Sequence, residues 1–118
     1  MTSLDATLFR SLKNLTELNL AFNCLNEIQM STFVCLKKLR LLLLNRNSIK
    51  RIVKSNQDTY MNSLETFDLS NNQLNDLSGL LASQMPKLLF IFVKNNPFCL
   101  NRQLLIQNMI NINRQKLN

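Results

Sequence analysis

Histidine is absent from this sequence of 118 residues, glycine occurs once and proline twice. Without histidine, the side chain that most often serves as a general base and as a zinc ligand is missing. A phosphate-binding loop needs several glycines, whereas Gly79 stands alone. The seven acidic residues are scattered, so their spacing indicates no paired carboxylates for acid–base catalysis. These absences predict a protein that is not an enzyme and that carries neither a metal nor a cofactor.

Cysteine is also scarce, and Cys24, Cys35 and Cys99 are separated by long, unequal stretches. An odd number of cysteines without a CxxC pair fits neither a zinc site nor a disulfide framework. We therefore expect three reduced thiols, most of them partly buried in the folded chain.

Long apolar segments are missing as well. The longest leucine run is Leu41 to Leu44, which is far short of the ~20 apolar residues that a membrane-spanning helix requires. Residues 1–12 contain Asp5 and Arg10 and lack the continuous apolar centre of a signal peptide. The sequence therefore predicts no membrane span and no secretory leader, which favours a cytoplasmic location.

The formal net charge at neutral pH is +7. Such a balance raises affinity for acidic partners, including nucleic acid, anionic membranes and acidic proteins. The nearest thing to a basic cluster comprises Arg46, Lys50, Arg51 and Lys54, with no tyrosine or tryptophan among them. Because nucleic-acid-binding domains concentrate their charge in a recognisable motif, we interpret this cluster as a solvated face and expect no nucleic-acid partner.

Four segments of the chain share one pattern. They are LTELNLAFNCL from Leu15, LRLLLLNRNSI from Leu39, LETFDLSNNQL from Leu64 and LLFIFVKNNPF from Leu88, so that their starts lie 24, 25 and 24 residues apart. Each segment is apolar at its first, fourth, sixth and eleventh positions. The ninth position is asparagine in every case: Asn23, Asn47, Asn72 and Asn96.

This pattern resembles that of the leucine-rich-repeat family, and the resemblance covers roughly residues 4 to 100. The 24-residue period, with Phe9 and Phe33 six residues before the next segment, is similar to the "typical" subclass found in animal receptor ectodomains and small proteoglycans. The resemblance implies an α/β solenoid with a short parallel β-sheet on its concave face and an irregular or short-helical convex side. On that convex side we expect Phe9 and Phe33 to stack.

Each segment alternates apolar and variable residues with a period of two, which is typical of a strand. Strands that run in one direction and are joined by about twenty residues must pair in parallel. The alternate apolar side chains are expected to point into a shared core: Leu18, Leu20, Leu42, Leu44, Phe67, Leu69, Ile91 and Val93. The four asparagines are expected to form a ladder, because an amide side chain can satisfy the backbone groups of a sharp turn.

The repeats divide the chain into three parts. Residues 1–14 are predicted to be the end of an incomplete repeat, and residues 15–100 to hold four repeats that start at positions 15, 39, 64 and 88. From residue 101 the apolar spacing changes to that of an amphipathic helix. Residues 101–118 are therefore predicted to form a helical C-terminal cap and tail, which would cover the last core face.

The variable slots of the strands should face the concave side and meet water, yet four of them are large and apolar: Leu41, Leu43, Phe90 and Phe92. Exposed apolar side chains of this size are typical of an interaction surface. Together with Phe22, Arg46 and Lys94 they form our predicted partner-binding set. The alternative is that a wider sheet or the tails of the chain cover them.

The sequence thus favours a non-catalytic protein–protein interaction module, either an adaptor or an assembly subunit, which binds through its concave face and contacts a further surface at its N-terminal edge. The alternative is a fragment of a larger, receptor-like extracellular domain. The glycosylation sequon Asn14-Leu15-Thr16 would suit that alternative, whereas the missing signal sequence and the missing cysteine-rich caps argue against it.

Overall fold

The computed structural model describes residues 3–5, 7–55, 60–78, 80 and 84–100 of the chain. The predicted C-terminal cap over 101–118, and parts of the predicted incomplete repeat over 1–14, lie outside these ranges. In chain order the described strands are β1 (Glu17–Asn19), β2 (Glu27–Gln29), β3 (Leu41–Leu43), β4 (Arg51–Val53), β5 (Thr66–Asp68) and β6 (Phe90–Phe92).

Four of these strands form a parallel sheet in the order β1-β3-β5-β6. Glu17 lies opposite Leu41, Leu41 opposite Thr66, and Thr66 opposite Phe90. The register therefore advances by the 24, 25 and 24 residues that separate the four sequence segments. The prediction of a parallel sheet is confirmed, and equivalent residues of successive segments stand side by side.

One face of the sheet lies on the hydrophobic core. In the two central strands the inward residues, Leu42 of β3 and Phe67 of β5, are fully buried. Their counterparts in the end strands, Leu18 of β1 and Ile91 of β6, are only partly buried and pack against the same core. The difference follows from position, because a side chain in a central strand has a neighbouring repeat on both sides.

The second sheet corrects our expectation that the return segments are wholly irregular or short-helical. β2 and β4 pair in parallel, with Ile28 opposite Ile52, and both isoleucines are buried. At the start of these strands the guanidinium Nε of Arg51 donates to a Glu27 carboxylate oxygen at 3.0 Å. The return segments of the first two repeats therefore each contain a short strand, in addition to the strands of the main sheet.

Short 3₁₀ helices complete the described structure, at Met30–Thr32 and at Pro97–Leu100. Just after the first of them, the ring of Phe33 stacks on that of Phe9, with 5.9 Å between ring centroids and 20° between the planes. The prediction of this aromatic stack is confirmed. Both rings are buried, so the stack joins the first two return segments from within.

Candidate interaction surface

The side chains on the face of the sheet opposite the core form what we call the outer face. Its two central rows cross the strands β1, β3, β5 and β6, one residue from each. The rows are Glu17, Leu41, Thr66, Phe90 and Asn19, Leu43, Asp68, Phe92. The register thus converts residues that are far apart in the sequence into a continuous surface.

The asparagine of each segment fastens the turn that follows the strand. Asn47 donates from Nδ2 to the carbonyls of Leu20 and Leu44, both at 3.0 Å, and its Oδ1 accepts from the Leu25 backbone at 3.1 Å. Leu20 and Leu25 belong to the preceding repeat, so one side chain joins two turns. Asn72 and Asn96 bond in the same way.

Asn23, in the first repeat, has a smaller set of bonds. Its Nδ2 donates to the carbonyls of Leu20 and Ala21, at 3.0 and 3.3 Å, and both acceptors lie in its own repeat. The side chain is partly buried, whereas those of Asn47, Asn72 and Asn96 are buried. These bonds order the turns next to the outer face, and the buried amides are not available to a ligand.

The four apolar residues that we predicted on this face form two groups rather than one patch. Leu41 and Leu43 lie on β3 and are half-buried. Phe90 and Phe92 lie on β6, are 58% and 48% exposed, and stack with 6.4 Å between ring centroids and 8° between planes. Between the two groups runs β5, which presents Thr66 and Asp68.

Leu89 was not in our predicted set, yet it is 62% exposed and precedes Phe90 directly. In the equivalent slot the other repeats carry Thr16, Arg40 and Glu65. A leucine where three equivalent residues are polar was the available signal, and we missed it because the slot lies just outside the strand. Leu89 extends the apolar end of the outer face.

At the other end of the face, Phe22 and Arg46 adopt an unusual backbone conformation. Their φ angles are 61° and 58°, and the equivalent residues Asn71 and Asn95 have φ angles of 58° and 60°. Asparagine tolerates this left-handed region, whereas a residue with a bulky side chain loses roughly 1–2 kcal/mol there. The turn therefore imposes a costly conformation on Phe22 and Arg46.

Charge is distributed unevenly over the outer face. Arg40 pairs with Glu65 at 3.3 Å near the start of the strands. A shallow hollow of about 240 Å³ is formed there by Thr16, Glu17, Arg40, Leu41, Glu65 and Thr66. Lys94, from our predicted set, is exposed beyond the carboxyl end of β6. Glu17 and Glu65 thus lie towards the start of the strands and Asp68 at the end of β5, whereas Arg46 and Lys94 lie beyond the strand ends.

Cysteine and acidic side chains are dispersed over the described part of the chain. No group of three or more cysteine or acidic side chains there could hold a metal ion. Cys24 is an exposed free thiol and Cys35 a partly buried one, whereas the side chain of Cys99 lies outside the description. Within the same ranges, no helix is both long and apolar enough to cross a membrane.

A family model described as leucine rich repeat matches residues 1–49 of the chain. The match includes the strands β1 and β3 and the aromatic stack of Phe9 and Phe33. Proteins of this family are typically non-catalytic, and their repeats generally mediate protein–protein interaction. A search of curated proteins finds no match to the chain.

Proposed function

We propose that this chain, a member of the leucine-rich-repeat family, is a non-catalytic adaptor or assembly subunit that binds a partner protein through the outer face of its sheet. The observation that supports this most is the stacked pair Phe90 and Phe92, which remains about half exposed beside the polar residues of β5. Aromatic side chains of this kind carry much of the binding energy in protein interfaces.

The separation of the two apolar groups favours an α-helix as the bound element. Strands in a sheet lie about 4.8 Å apart, so the β3 and β6 rows are roughly 10 Å from each other. That distance is similar to the diameter of an α-helix, about 10–12 Å. A helix above β5 would contact Leu41 and Leu43 on one side and the two phenylalanines on the other, with Thr66 and Asp68 beneath it.

A second contact is proposed beside β1. The inward residues Leu15, Leu18 and Leu20 are only partly buried there, and Leu8 and Leu12 are exposed. Apolar side chains at the end of a repeat array favour further contacts, because each repeat buries its core face against a neighbour. At the other end of the four repeats proposed over 15–100, the proposed helical cap over 101–118 would cover the last repeat. We therefore propose no second contact of this kind there.

The binding proposal can be tested with Phe90→Ala/Phe92→Ala in a capture experiment. Proteins retained from native extract by the wild-type chain would be quantified beside those retained by the double variant. We expect at least one specific partner to be lost, because the truncation removes the exposed aromatic anchor. The melting temperature should stay near the wild-type value, since about half of each residue is already in contact with solvent.

Lys50→Ala is the matched control, because Lys50 is exposed and lies outside the strands of the main sheet. It should retain the partner that the double variant loses. Retention of every partner by Phe90→Ala/Phe92→Ala would contradict the proposal. A large fall in its melting temperature would instead identify the two rings as core residues.

We propose a cytoplasmic location, with an extracellular fragment as the second candidate because of the sequon at Asn14. The Asn14 side chain is exposed, and its Oδ1 accepts from Lys38 Nζ at 3.1 Å. Exposure makes attachment of a glycan sterically feasible. Mass spectrometry of the protein from its native source separates the candidates: a glycan on Asn14 would favour the extracellular one, and unmodified Asn14 with free cysteines the cytoplasmic one.

A further inference from the structure

The most unusual local feature of the described chain is the pair formed by Phe22 and Arg46. Both residues occupy the slot directly before the motif asparagine, where the backbone has a positive φ in all four repeats. The third and fourth repeats fill this slot with Asn71 and Asn95, which suit the conformation. Phenylalanine and arginine do not suit this conformation, so the positive φ at Phe22 and Arg46 lowers the stability of the fold.

These two side chains contact each other on the surface. The guanidinium carbon of Arg46 lies 5.4 Å from the centroid of the Phe22 ring, which is the geometry of a cation–π contact. The Phe22 side chain is nevertheless 74% exposed, so the contact covers only part of the ring. A guanidinium that lies over an aromatic ring can still use its N–H groups to bind an anion.

Arg46 also has no acidic counterpart in the described part of the chain. The ion pairs found there join Arg40 to Glu65 and Arg51 to Glu27. Around Arg46, the last two slots before each motif asparagine contain no acid: they are Ala21 and Phe22, Asn45 and Arg46, Ser70 and Asn71, and Lys94 and Asn95. The nearby carboxylate of Asp68 accepts from the backbone and hydroxyl of Ser70, at 2.9 and 2.6 Å.

We propose that Phe22 and Arg46 form a recognition site for an acidic peptide segment, in which an aspartate or glutamate carboxylate binds the Arg46 guanidinium and an apolar neighbour packs on Phe22. This inference deepens the proposed function and rests on it. Arginine and a carboxylate can form two parallel hydrogen bonds, which makes the contact directional. Lys94, two strands away, supplies a second positive charge for the same segment.

A peptide fits this site better than a nucleic acid does. Binding of single-stranded nucleic acid relies on aromatic faces that are open for base stacking. Arg46 already lies over the ring of Phe22 and covers part of it. The other exposed rings, Phe90 and Phe92, stack on each other at the far end of the sheet. The observed geometry therefore offers one oriented guanidinium beside an apolar edge, which suits a single carboxylate.

The test is selection of random twelve-residue peptides displayed on phage against the wild-type chain and against Arg46→Asn and Phe22→Asn. These variants introduce the residue that the third and fourth repeats carry in the same slot. We expect wild-type selections to be enriched in aspartate and glutamate. The best peptide should bind each variant about tenfold more weakly, because Arg46→Asn loses a charge-assisted hydrogen-bonded contact and Phe22→Asn loses the apolar surface on which the peptide packs. Both variants should melt at the wild-type temperature or above, because asparagine tolerates positive φ.

Lys50→Asn is the control for charge alone, since it removes one positive charge from an exposed residue in the basic cluster. It should bind the selected peptide within about twofold of wild type, because the site depends on one oriented contact. Equal weakening by Lys50→Asn and Arg46→Asn would overturn the inference, as would selected peptides that lack acidic residues or no selected peptide at all. Tighter, Arg46-dependent binding of a twelve-nucleotide single strand would also overturn it, in favour of nucleic acid.

This design separates the failure of the inference from that of the proposed function. Selected peptides that depend on Phe90 and Phe92 but not on Arg46 would leave the outer face as the binding surface and remove the acidic site. Partner capture that is unaffected by any change on the outer face would contradict the proposed function itself.

Discussion

Asn47 and Asn23 occupy the same slot of their repeats, but their side chains make different sets of hydrogen bonds. Asn47 is buried and bonds to carbonyls and an amide of two successive repeats. Asn23 is partly buried and bonds only within its own repeat among the described residues. The contribution of the asparagine amide to stability therefore depends on whether a preceding repeat packs against it.

This difference predicts unequal effects of the same substitution. Asn47→Ala should lower the free energy of unfolding by about 2–4 kcal/mol, because it leaves the buried Leu25 amide without a partner and removes one of the two asparagine bonds to each of the Leu20 and Leu44 carbonyls. Asn23→Ala should cost about 1 kcal/mol, because the Leu20 carbonyl keeps its bond to Asn47 and the Asn23 side chain is only partly buried. Urea denaturation of the two variants measures both values. Equal losses would show that the turns are independent of one another.

The left-handed backbone at Phe22 and Arg46 shows where prediction from individual residues fails. The asparagine spacing locates the turn, and Asn71 or Asn95 could have suggested positive φ in that slot. Phenylalanine and arginine disfavour the conformation, so their own propensities point away from it. Only the shared register of the four repeats, which forces equivalent residues into equivalent geometry, determines what these two side chains do.

Among the elements, the contrast between central and end strands decides how much each apolar side chain contributes. Leu18 of β1 and Leu42 of β3 lie side by side in register and carry the same side chain. Leu42 is fully buried, whereas Leu18 is only partly buried. The pair is a matched comparison of position alone.

Leu42→Ala should therefore destabilise the fold by about 2–5 kcal/mol, the usual loss for a buried leucine whose cavity cannot collapse. Leu18→Ala should cost less than half as much, because part of its side chain is already in water. Both numbers come from urea midpoints and slopes measured under the same conditions. A loss at Leu18 as large as that at Leu42 would indicate that β1 is covered in solution.

The two sheets differ in how well they can be predicted from the sequence. The main sheet follows from an asparagine-anchored motif that recurs four times, so that even its register could be predicted. The β2–β4 sheet rests on only two copies, around Ile28 and Ile52, and each strand has three residues. One buried isoleucine, between Glu27 and Gln29 or between Arg51 and Val53, is too short a pattern to separate a strand from an irregular segment. The pairing is decided by the stacking of the first two repeats.

On the scale of the whole molecule, the two ends of the outer face present different side chains. Its exposed aromatic pair lies on β6, at one end of the strand order, and the cation–π pair of Phe22 and Arg46 lies beside β1 and β3 at the other. A partner that uses both ends must cross all four strands. A selected peptide that binds at one end should be weakened only by variants at that end. A partner that binds at both ends should be weakened by variants at either end.

The linear strand order also predicts how the protein opens. Leu20, Leu44 and Leu69 each follow a strand directly, and their amides donate to the next repeat at 2.8, 2.9 and 2.7 Å. The hydrogen bonds are therefore equivalent, but β1 has one strand neighbour in the described sheet while β3 and β5 have two. Because each repeat is stabilised by its immediate neighbours, an end repeat should open without the central ones.

Native-state hydrogen exchange followed residue by residue should consequently show the Leu20 amide exchanging at least about tenfold faster than the Leu44 amide, which joins the two central strands. The Leu69 amide bonds to the end strand β6 and should also exchange faster than that of Leu44. The gap should narrow as denaturant approaches the unfolding midpoint, where global opening governs all three amides. Equal rates in the absence of denaturant would mean that the sheet opens as one cooperative unit. In that case the partly buried leucines of β1 would have to be supported by contacts beyond the described strands.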